Sequence, residues 1–222
     1  WIGDAVITLP AISSIRKAYP LARISILAKP WVADIYRLSP HVDEVILYES
    51  PGVHQGIGGI ISLARKLRAR NFDMAILLQN AIEAAIIVRL AAIPIRAGYD
   101  SDVRGFLLTH AIRRTKEIKQ VHQVDYYLGM VKALGCGEHN IGPLLHLTPE
   151  DDRAAGSLLC EFGLNKEQFI VVIAPGATYG PAKKWFPERF AALADRFRED
   201  FSARTILFGS RADRQATEAV NK

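Results

Sequence analysis

Short apolar segments alternate along this chain with longer segments of helical periodicity. The apolar segments have the length of strands, and residues 76–78 lack polar alternation, as expected of a strand covered on both faces. Such alternation is typical of βαβ units built on a parallel sheet. The predicted strands are residues 23–28, 44–48, 73–78, 95–99, 169–174 and 205–208, and the predicted helices are residues 57–69, 81–91, 122–134, 188–198 and 212–220.

A second cycle of the same pattern begins near residue 148. Thr148 has the side chain of a helix N-cap, Pro149 suits the first turn, and Asp151 takes the capping-box position. We therefore predict two Rossmann-like α/β domains, residues 1–147 and 148–222. The second has only begun, because a doubly wound domain needs on the order of 100 or more residues.

The composition is that of a globular protein, with 50% hydrophobic and 23% charged residues. No apolar run reaches the roughly 18 residues that span a bilayer. Two cysteines, Cys136 and Cys160, indicate a reducing cytoplasm and no disulfide framework. The net charge of +5 is concentrated in two basic clusters, residues 65–70 and 104–119. Solvated helix faces explain any single basic residue, but together the clusters permit an anionic partner.

Common signatures of cofactor and metal sites are absent or weak. The chain has no P-loop motif, and Gly56, Gly58 and Gly59 neither complete a dinucleotide fingerprint nor follow a strand. The D-x-D segment 100–102 matches a metal-binding pattern, but so short a match is better explained as a polar loop. The C-x-x-H segment 136–139 lacks a second ligand pair, so we interpret it as structural.

Asp4 is the first candidate for chemistry. It follows Gly3, which allows close backbone approach, and it could serve as a general base. An ordinary helix N-cap is the alternative, and the sequence alone favours it. Pro10 leaves the local geometry open: either a helix is kinked there, or Asp4 lies in a turn and the helix starts near Pro10.

The second candidate is the loop of residues 175–187, which follows the first strand of the second domain. Ligands of open α/β sheets bind at the carboxyl ends of the strands. Thr178 offers a hydroxyl, the glycines expose backbone N–H groups, and Lys183 and Lys184 offer cations for phosphate. A solvated loop with two surface lysines is the alternative, but the loop is long for a simple connection.

Together these segments resemble the ADP-heptose:lipopolysaccharide heptosyltransferases of glycosyltransferase family 9, particularly the heptosyltransferase II branch. The resemblance covers nearly the whole chain, and the lysine–tryptophan loop is its most specific piece. It rests on WIGD at 1–4, RAGY at 96–99, RGFLLTH at 104–110, H-x-x-DYYL at 122–128, PGATYGPAKKW at 175–185 and FGS-x-x-D at 208–213.

The resemblance implies a GT-B fold and an inverting transfer of L-glycero-D-manno-heptose from ADP-heptose to the lipopolysaccharide inner core, with no cofactor and no essential metal. It implies that Asp4 is the general base and that Lys183, two residues before Trp185, contacts the donor phosphates. The further donor-binding residues that we predict are Thr178, Tyr179, Gly180 and Asp213, and the predicted acceptor-binding residues are Arg65, Arg68 and Arg104.

The same resemblance predicts a monomer that acts in the cytoplasm at the inner face of the inner membrane. Its expected partners are an ADP-sugar and a heptosyl-Kdo2-lipid A acceptor, and not nucleic acid. Alternatives are heptosyltransferase I, another member with a different acceptor, or a non-catalytic module that binds anionic saccharide or membrane. Asp4 and Lys183 argue against the last. Phe186 stands where the family has proline. The family's opening strand would precede Trp1, and its D-x-G-x-x-H segment would follow Lys222.

Overall fold

The computed structural model describes residues 1–137, 144–177 and 181–221. The chain divides into two compact units, Trp1–His146 and Leu147–Lys222. The elements of unit 1 are α1 Ile2–Ala18, β1 Ser25–Ala28, α2 Ala33–Arg37, β2 Glu44–Leu47, α3 Gly56–Arg68, β3 Met74–Leu77, α4 Ile82–Leu90, β4 Ile95–Tyr99, β5 His110–Ile112 and α5 Gln123–Ala133. Those of unit 2 are α6 Pro149–Glu161, β6 Ile170–Ile173, α7 Pro187–Phe201, β7 Arg204–Leu207 and α8 Arg214–Val220.

The strands of unit 1 pair in parallel, as the alternating pattern predicts. β1 and β2 form a two-stranded sheet, and β3, β4 and β5 form a three-stranded sheet with β4 in the middle; these two sheets together are the sheet layer of unit 1. Helix α3 connects β2 to β3 and therefore crosses back over the sheet. All five strands then end at one edge, which we call the carboxyl edge of unit 1. This edge is where an open α/β sheet binds its ligands.

Two helical layers cover the sheet of unit 1. On one face α1 and α5 pack together, with Ala11 and Met130 fully buried between them and the sheet. On the other face α3 and α4 pack together, with Leu63 and Ile87 buried over β2 and β3. This double cover explains why residues 76–78 are apolar without alternation.

Helix α1 settles the alternatives that the sequence left open around Asp4. The helix runs from Ile2 to Ala18 and continues through Pro10. A helix that starts near Pro10 is therefore wrong. Trp1 is the N-cap and Asp4 lies in the first turn, so the N-cap interpretation of Asp4 is also wrong. The carboxylate instead stands at the positive end of the helix dipole.

Unit 2 contains the parallel pair β6–β7 with α7 and α8 beside it. The predicted capping box at the start of α6 is confirmed: the Thr148 hydroxyl accepts the Asp151 N–H at 3.1 Å, and the Asp151 carboxylate accepts the Thr148 N–H at 2.8 Å. Within the described residues, no helix of either unit has the length and apolar character needed to cross a membrane.

Candidate functional site

Asp4 stands at the carboxyl edge of unit 1 with its carboxylate accessible. Its side chain is 56% exposed, and Oδ2 lies 3.4 Å from the nitrogen of Trp1. One turn further along α1, the Thr8 hydroxyl donates to the Ala5 carbonyl at 2.7 Å and lies 3.1 Å from the Tyr36 hydroxyl. Burial raises the pKa of Tyr36. Asp4 is thus an accessible carboxylate beside a row of neutral polar groups.

A cavity of about 480 Å³ opens below Asp4, between the edges of β1 and β3 that pair with no other described strand. Both strands line it along their full length, α1 covers one side, and α3 and α4 cover the other. Neighbouring strands lie about 4.8 Å apart and stacked layers about 10 Å apart, so a four-residue strand occupies roughly 600 Å³. The cavity is therefore comparable in size to one short strand. Helix α1 begins at its carboxyl end.

A lysine–tyrosine pair that was not predicted from the sequence, Lys29 and Tyr48, lies on the β1 and β2 side of this edge. Lys29 follows β1, donates to the Ser50 carbonyl at 2.6 Å, and places its ammonium 3.8 Å from the centre of the Tyr48 ring. Tyr48 in turn donates to Glu83. Burial lowers the pKa of Lys29, and Glu83 partly opposes that shift. The available signal was a lysine placed directly after an apolar strand.

The structure contradicts the predicted contact of Arg104 with the acceptor. The residue is completely buried, and its guanidinium donates to the Tyr99 carbonyl at 2.9 Å and to the Gln79 carbonyl. Its second Nη lies 3.5 Å from the Leu77 carbonyl. These carbonyls belong to the ends of β3 and β4. Arg104 therefore holds the two strand ends together and has no surface with which to contact an acceptor.

Arg65 and Arg68 are exposed, but the topology places them away from Asp4. Helix α3 is about 20 Å long and returns from the carboxyl edge towards the start of β3. Arg70, just after the helix, pairs with Glu44 at the first position of β2 at 2.5 Å. Arg68 therefore lies at the opposite edge of the sheet, with Arg65 one turn away. Contact of Arg65 and Arg68 with the acceptor stays a prediction, and it would involve a part of the acceptor remote from Asp4.

The D-x-D segment lies in the loop after β4. The Asp100 carboxylate accepts the backbone N–H of Arg114 at 2.8 Å, and the Asp102 side chain is exposed. In the described parts of the chain, no three His, Cys, Asp or Glu side chains cluster as metal ligands would. The hydrogen bond of Asp100 accords with the interpretation of this segment as a polar loop.

In unit 2 the predicted donor loop follows β6, again at the carboxyl edge of a parallel pair. Thr178, Tyr179 and Gly180 lie outside the described residues. Lys183 ends a short 3-10 turn, Pro181–Lys183, and both Lys183 and Lys184 are exposed. Lys183 forms no ion pair with any described carboxylate, whereas the charge of Lys184 contributes to lowering the pKa of Asp213. Lys183 is therefore the freer cation of the two.

The end of this loop is anchored by aromatic contacts. The Trp185 ring packs edge-on against Phe190 in α7, with ring centroids 5.0 Å apart. Phe186, where the family has proline, is the N-cap of α7 and is exposed, with the Arg189 guanidinium 5.1 Å from its ring centre. The contact between Trp185 and Phe190 thus holds the end of the loop, two residues after Lys183, against α7. Because Phe186 is exposed, phenylalanine in place of the family's proline does not disturb a buried core.

Asp213 joins the donor loop to the loop after β7. Its carboxylate accepts the Ser210 hydroxyl at 2.6 Å and the Ser210 N–H at 3.0 Å, and these bonds lower the pKa of Asp213. A Cβ atom on Gly176 would lie 2.1 Å from Asp213 Oδ1, and one on Gly209 would lie 2.9 Å from Asp213 Cβ. Both loops therefore need glycine where the Asp213 side chain passes. This geometry gives Asp213 a structural role beside the predicted contact with the donor.

We expect Gly176→Ala to destabilise unit 2 by about 1–3 kcal/mol, because the added methyl group overlaps a carboxylate that two hydrogen bonds hold in place. Gly156→Ala is the matched control. Its Cβ would lie 3.5 Å from Lys166 Cε, and alanine favours the α6 helix. Urea unfolding of both variants measures the difference. An equal or higher stability of Gly176→Ala would contradict the fixed placement of Asp213.

Two α/β units with parallel strands and candidate residues at their carboxyl edges define a protein of the GT-B glycosyltransferase class, and solved structures bear this out. The structure of E. coli ADP-heptose LPS heptosyltransferase II matches with a TM-score of 0.81 and 26% identity, over 99% of this chain and 65% of that one. The glycosyl transferase family 9 structure from Veillonella parvula matches with a TM-score of 0.88 and 24% identity, over 99% of this chain and 63% of that one.

The family itself is established by the sequence match. Residues 60–222 match glycosyltransferase family 9 (heptosyltransferase), and the chain belongs to this family. Relatives include lipopolysaccharide heptosyltransferase 2 of Salmonella typhimurium, 28% identical over 99% of the chain, and lipooligosaccharide heptosyltransferase 2 of Haemophilus influenzae, 29% identical over 100%. The chain spans 64% and 65% of the length of these two relatives.

Proposed function

We propose that the complete protein transfers L-glycero-D-manno-heptose from ADP-heptose to the inner core of lipopolysaccharide, on a heptosyl-Kdo2-lipid A acceptor. The observation that carries the proposal is the placement of Asp4 and Lys183 in a family 9 chain: each stands exposed at the carboxyl edge of a parallel sheet. Relatives named lipopolysaccharide heptosyltransferase 2 support the same assignment.

In the proposed reaction Asp4 is the general base. It takes the proton from an acceptor hydroxyl as that oxygen attacks the anomeric carbon of the heptose. The bond between the anomeric carbon and the diphosphate oxygen breaks, and ADP leaves from the opposite face with the electron pair. The configuration is therefore inverted. The transition state resembles an oxocarbenium ion, and negative charge grows on the leaving diphosphate.

Unit 2 supplies the cation for that growing charge. Lys183 has no described ion-pair partner, so its ammonium is available to a diphosphate. The backbone around Gly176 and the residues Thr178, Tyr179 and Gly180 are the proposed remainder of the donor site. The proposal assigns the stabilisation of the diphosphate to Lys183 and the backbone, and so includes no metal ion and no cofactor.

The position of Asp4 at the carboxyl end of the strand-sized cavity also supports the proposal. We propose that residues preceding Trp1 in the complete protein form a parallel strand between β1 and β3 and lead directly into α1. The chain would then wind to one side through β1 and β2 and to the other side through β3, β4 and β5. The crevice where the winding direction reverses is the usual ligand site of such sheets. Asp4 would then lie at this switch point.

The deciding experiment is a transfer assay with the complete protein, ADP-heptose and lipid-linked acceptors that differ in length. Transfer to heptosyl-Kdo2-lipid A with inversion, in buffer with or without chelator, is the expected result. A relative named lipopolysaccharide heptosyltransferase 3 of E. coli, 25% identical over 95% of the chain, favours testing longer acceptors as well. Transfer only to other acceptors would change the acceptor assignment. Turnover that stops with chelator and returns with a divalent cation would overturn the metal-independent mechanism.

The proposal also predicts a difference between two adjacent lysines. Lys183→Ala is expected to weaken the use of ADP-heptose by about 1.5–3 kcal/mol, the value of one charge-assisted contact. Lys184→Ala is expected to have a smaller effect, because the Lys184 charge is partly engaged with Asp213. Measurement of kcat/KM for the donor in both variants tests this. Equal losses would mean that Lys183 is not the specific phosphate ligand.

The partners and location follow from the same proposal. An acceptor anchored by lipid A would bring the protein to the inner face of the inner membrane as a peripheral cytoplasmic monomer. The exposed lysines after β5, Lys116 and Lys119, would lie at the same edge as Asp4. Such a surface attracts anionic lipid head groups. No nucleic-acid partner is part of the proposal.

A further inference from the structure

An asparagine with a fixed side-chain orientation, Asn80, lies at the cavity, just after the carboxyl end of β3. Asn80 Oδ1 accepts the Tyr126 hydroxyl at 2.9 Å and the Ser101 hydroxyl at 3.0 Å. Both oxygen contacts come from buried residues, and Arg104 holds the neighbouring Gln79 carbonyl. The amide orientation of Asn80 is thereby fixed. Its Nδ2 donates to none of the described atoms, and the residue lines the cavity that Asp4 also lines.

A second hydrogen-bond donor, the side chain of Arg114, lies next to the Tyr126 ring. The Arg114 guanidinium lies 5.5 Å from the centre of the Tyr126 ring, and its Nε is buried without a hydrogen-bond partner among the described residues. The guanidinium also forms no ion pair with a described carboxylate. The Asp100 carboxylate is close, but it accepts the backbone N–H of Arg114 and not the side chain.

The surroundings of Arg114 include a second guanidinium, that of Arg104. Burial lowers the pKa of Arg104, and the charge of Arg114 adds to that shift, whereas the charge of Asp102 opposes it. A partly buried guanidinium next to a second one is costly unless an anion pairs with it. Arg114 follows β5 and therefore stands at the same edge as Asp4. Two strand spacings separate β5 from β3, a lateral distance of roughly 10 Å.

We propose that Arg114 and Asn80 form an acceptor subsite that binds an anionic oxygen group, a carboxylate or a phosphate, on the saccharide whose hydroxyl faces Asp4. The subsite rests on the proposed function for its ligand. Arg114 supplies the planar pair of donors that matches a carboxylate or a phosphate, and Asn80 supplies a neutral donor held in one orientation.

The test is the binding of lipid-free acceptor saccharide to the complete protein, measured by calorimetry without donor. Arg114→Gln is expected to weaken binding about 10- to 100-fold, as for one lost charge-assisted contact. Arg113→Gln is the matched control, because Arg113 is exposed and has no contact with the Tyr126 ring. It is expected to change binding less than about threefold, as an exposed charge does. Asn80→Ala is expected to give a smaller loss than Arg114→Gln.

Two modified acceptors identify the source of the anion. Dephosphorylated and carboxyl-reduced saccharides are each titrated against the wild type and Arg114→Gln. The modification that removes the group bound by Arg114 should make the two proteins bind equally. If the penalty of Arg114→Gln persists with both modified saccharides, or if it equals that of Arg113→Gln, the subsite is overturned. Absence of saccharide binding by the wild type overturns it as well.

Two further measurements distinguish failure of the subsite from misfolding and from failure of the proposed function. Arg114→Lys keeps the charge but loses the planar donor pair, so a loss of about 3- to 10-fold is expected even if the glutamine variant does not fold. A thermal unfolding curve accompanies each variant. Because binding is measured without ADP-heptose, a protein that binds saccharide through Arg114 but transfers no heptose would refute the proposed function and leave the subsite standing. Heptose transfer that is unaffected by substitution of Arg114 would refute the subsite and leave the proposed function standing.

Discussion

Asp4→Asn in the complete protein is expected to lower the turnover number about 100-fold or more, the scale of losing a general base. Asparagine has the shape of aspartate but cannot accept the proton of the acceptor hydroxyl. The side chain is 56% exposed, so its replacement should leave the fold intact. The affinity for ADP-heptose should change little, because the donor contacts are assigned to unit 2.

Asp34→Asn is the matched control for this variant. Asp34 is an exposed carboxylate in the first turn of α2 and pairs only with Arg37 at 2.7 Å. Single-turnover rates and donor affinities of both variants separate the chemical step from binding. Asp4→Asn with turnover near that of the wild type, or with a loss matched by Asp34→Asn, would remove Asp4 from the role of base.

The fold could be predicted well from the sequence because most elements carry their own signal. The six predicted strands are confirmed within two residues at each end, and the GT-B class is confirmed by solved structures. The third strand of the β3–β4–β5 sheet, His110–Ile112, was missed. It is three residues long and includes an exposed histidine, so neither length nor apolar pattern marks it. Helix α2 spans only five residues and was missed for the same reason.

The site was less predictable because its residues acquire their roles from topology. Arg104 looks like a surface cation in the sequence, but the ends of β3 and β4 enclose it with backbone carbonyls. Arg65 and Arg68 belong to an obvious basic cluster, yet the crossover helix α3 places them towards the edge of the sheet opposite Asp4. Asp213 did carry a local signal: Ser210-x-x-Asp213 is a capping pattern, and the structure forms that box.

Residues 1–222 by themselves are expected to show no heptose transfer above the rate without protein. In unit 2, α6 and α7 contain no fully buried residue among those described. Five phenylalanines of this unit are more than half exposed: Phe162, Phe169, Phe186, Phe201 and Phe208. The Phe169 and Phe201 rings pack edge-on against each other, with centroids 5.9 Å apart, and Phe201 also lies 6.0 Å from Phe197.

The size of this effect follows from the area left in water. Complete burial of one phenylalanine contributes about 1.5–3 kcal/mol, so five rings with somewhat more than half of their surface in water forgo roughly 5–9 kcal/mol. That is comparable to the entire stability of a typical domain, about 5–15 kcal/mol. A two-stranded sheet also leaves its outer strand edges unpaired. The loop that carries Lys183 would then rest on a loosely packed scaffold, and a site held loosely loses most of its catalytic advantage.

The comparison is made between purified 1–222 and the complete protein, each checked by mass and given ADP-heptose and acceptor. A dye that binds exposed apolar surface should fluoresce strongly with 1–222 and weakly with the complete protein. Loss of transfer together with strong dye binding would assign the loss to the incomplete packing of unit 2. Measurable transfer by 1–222 would mean that Asp4 and Lys183 function even though the phenylalanines of unit 2 are exposed. The description of the donor site given above would then be wrong.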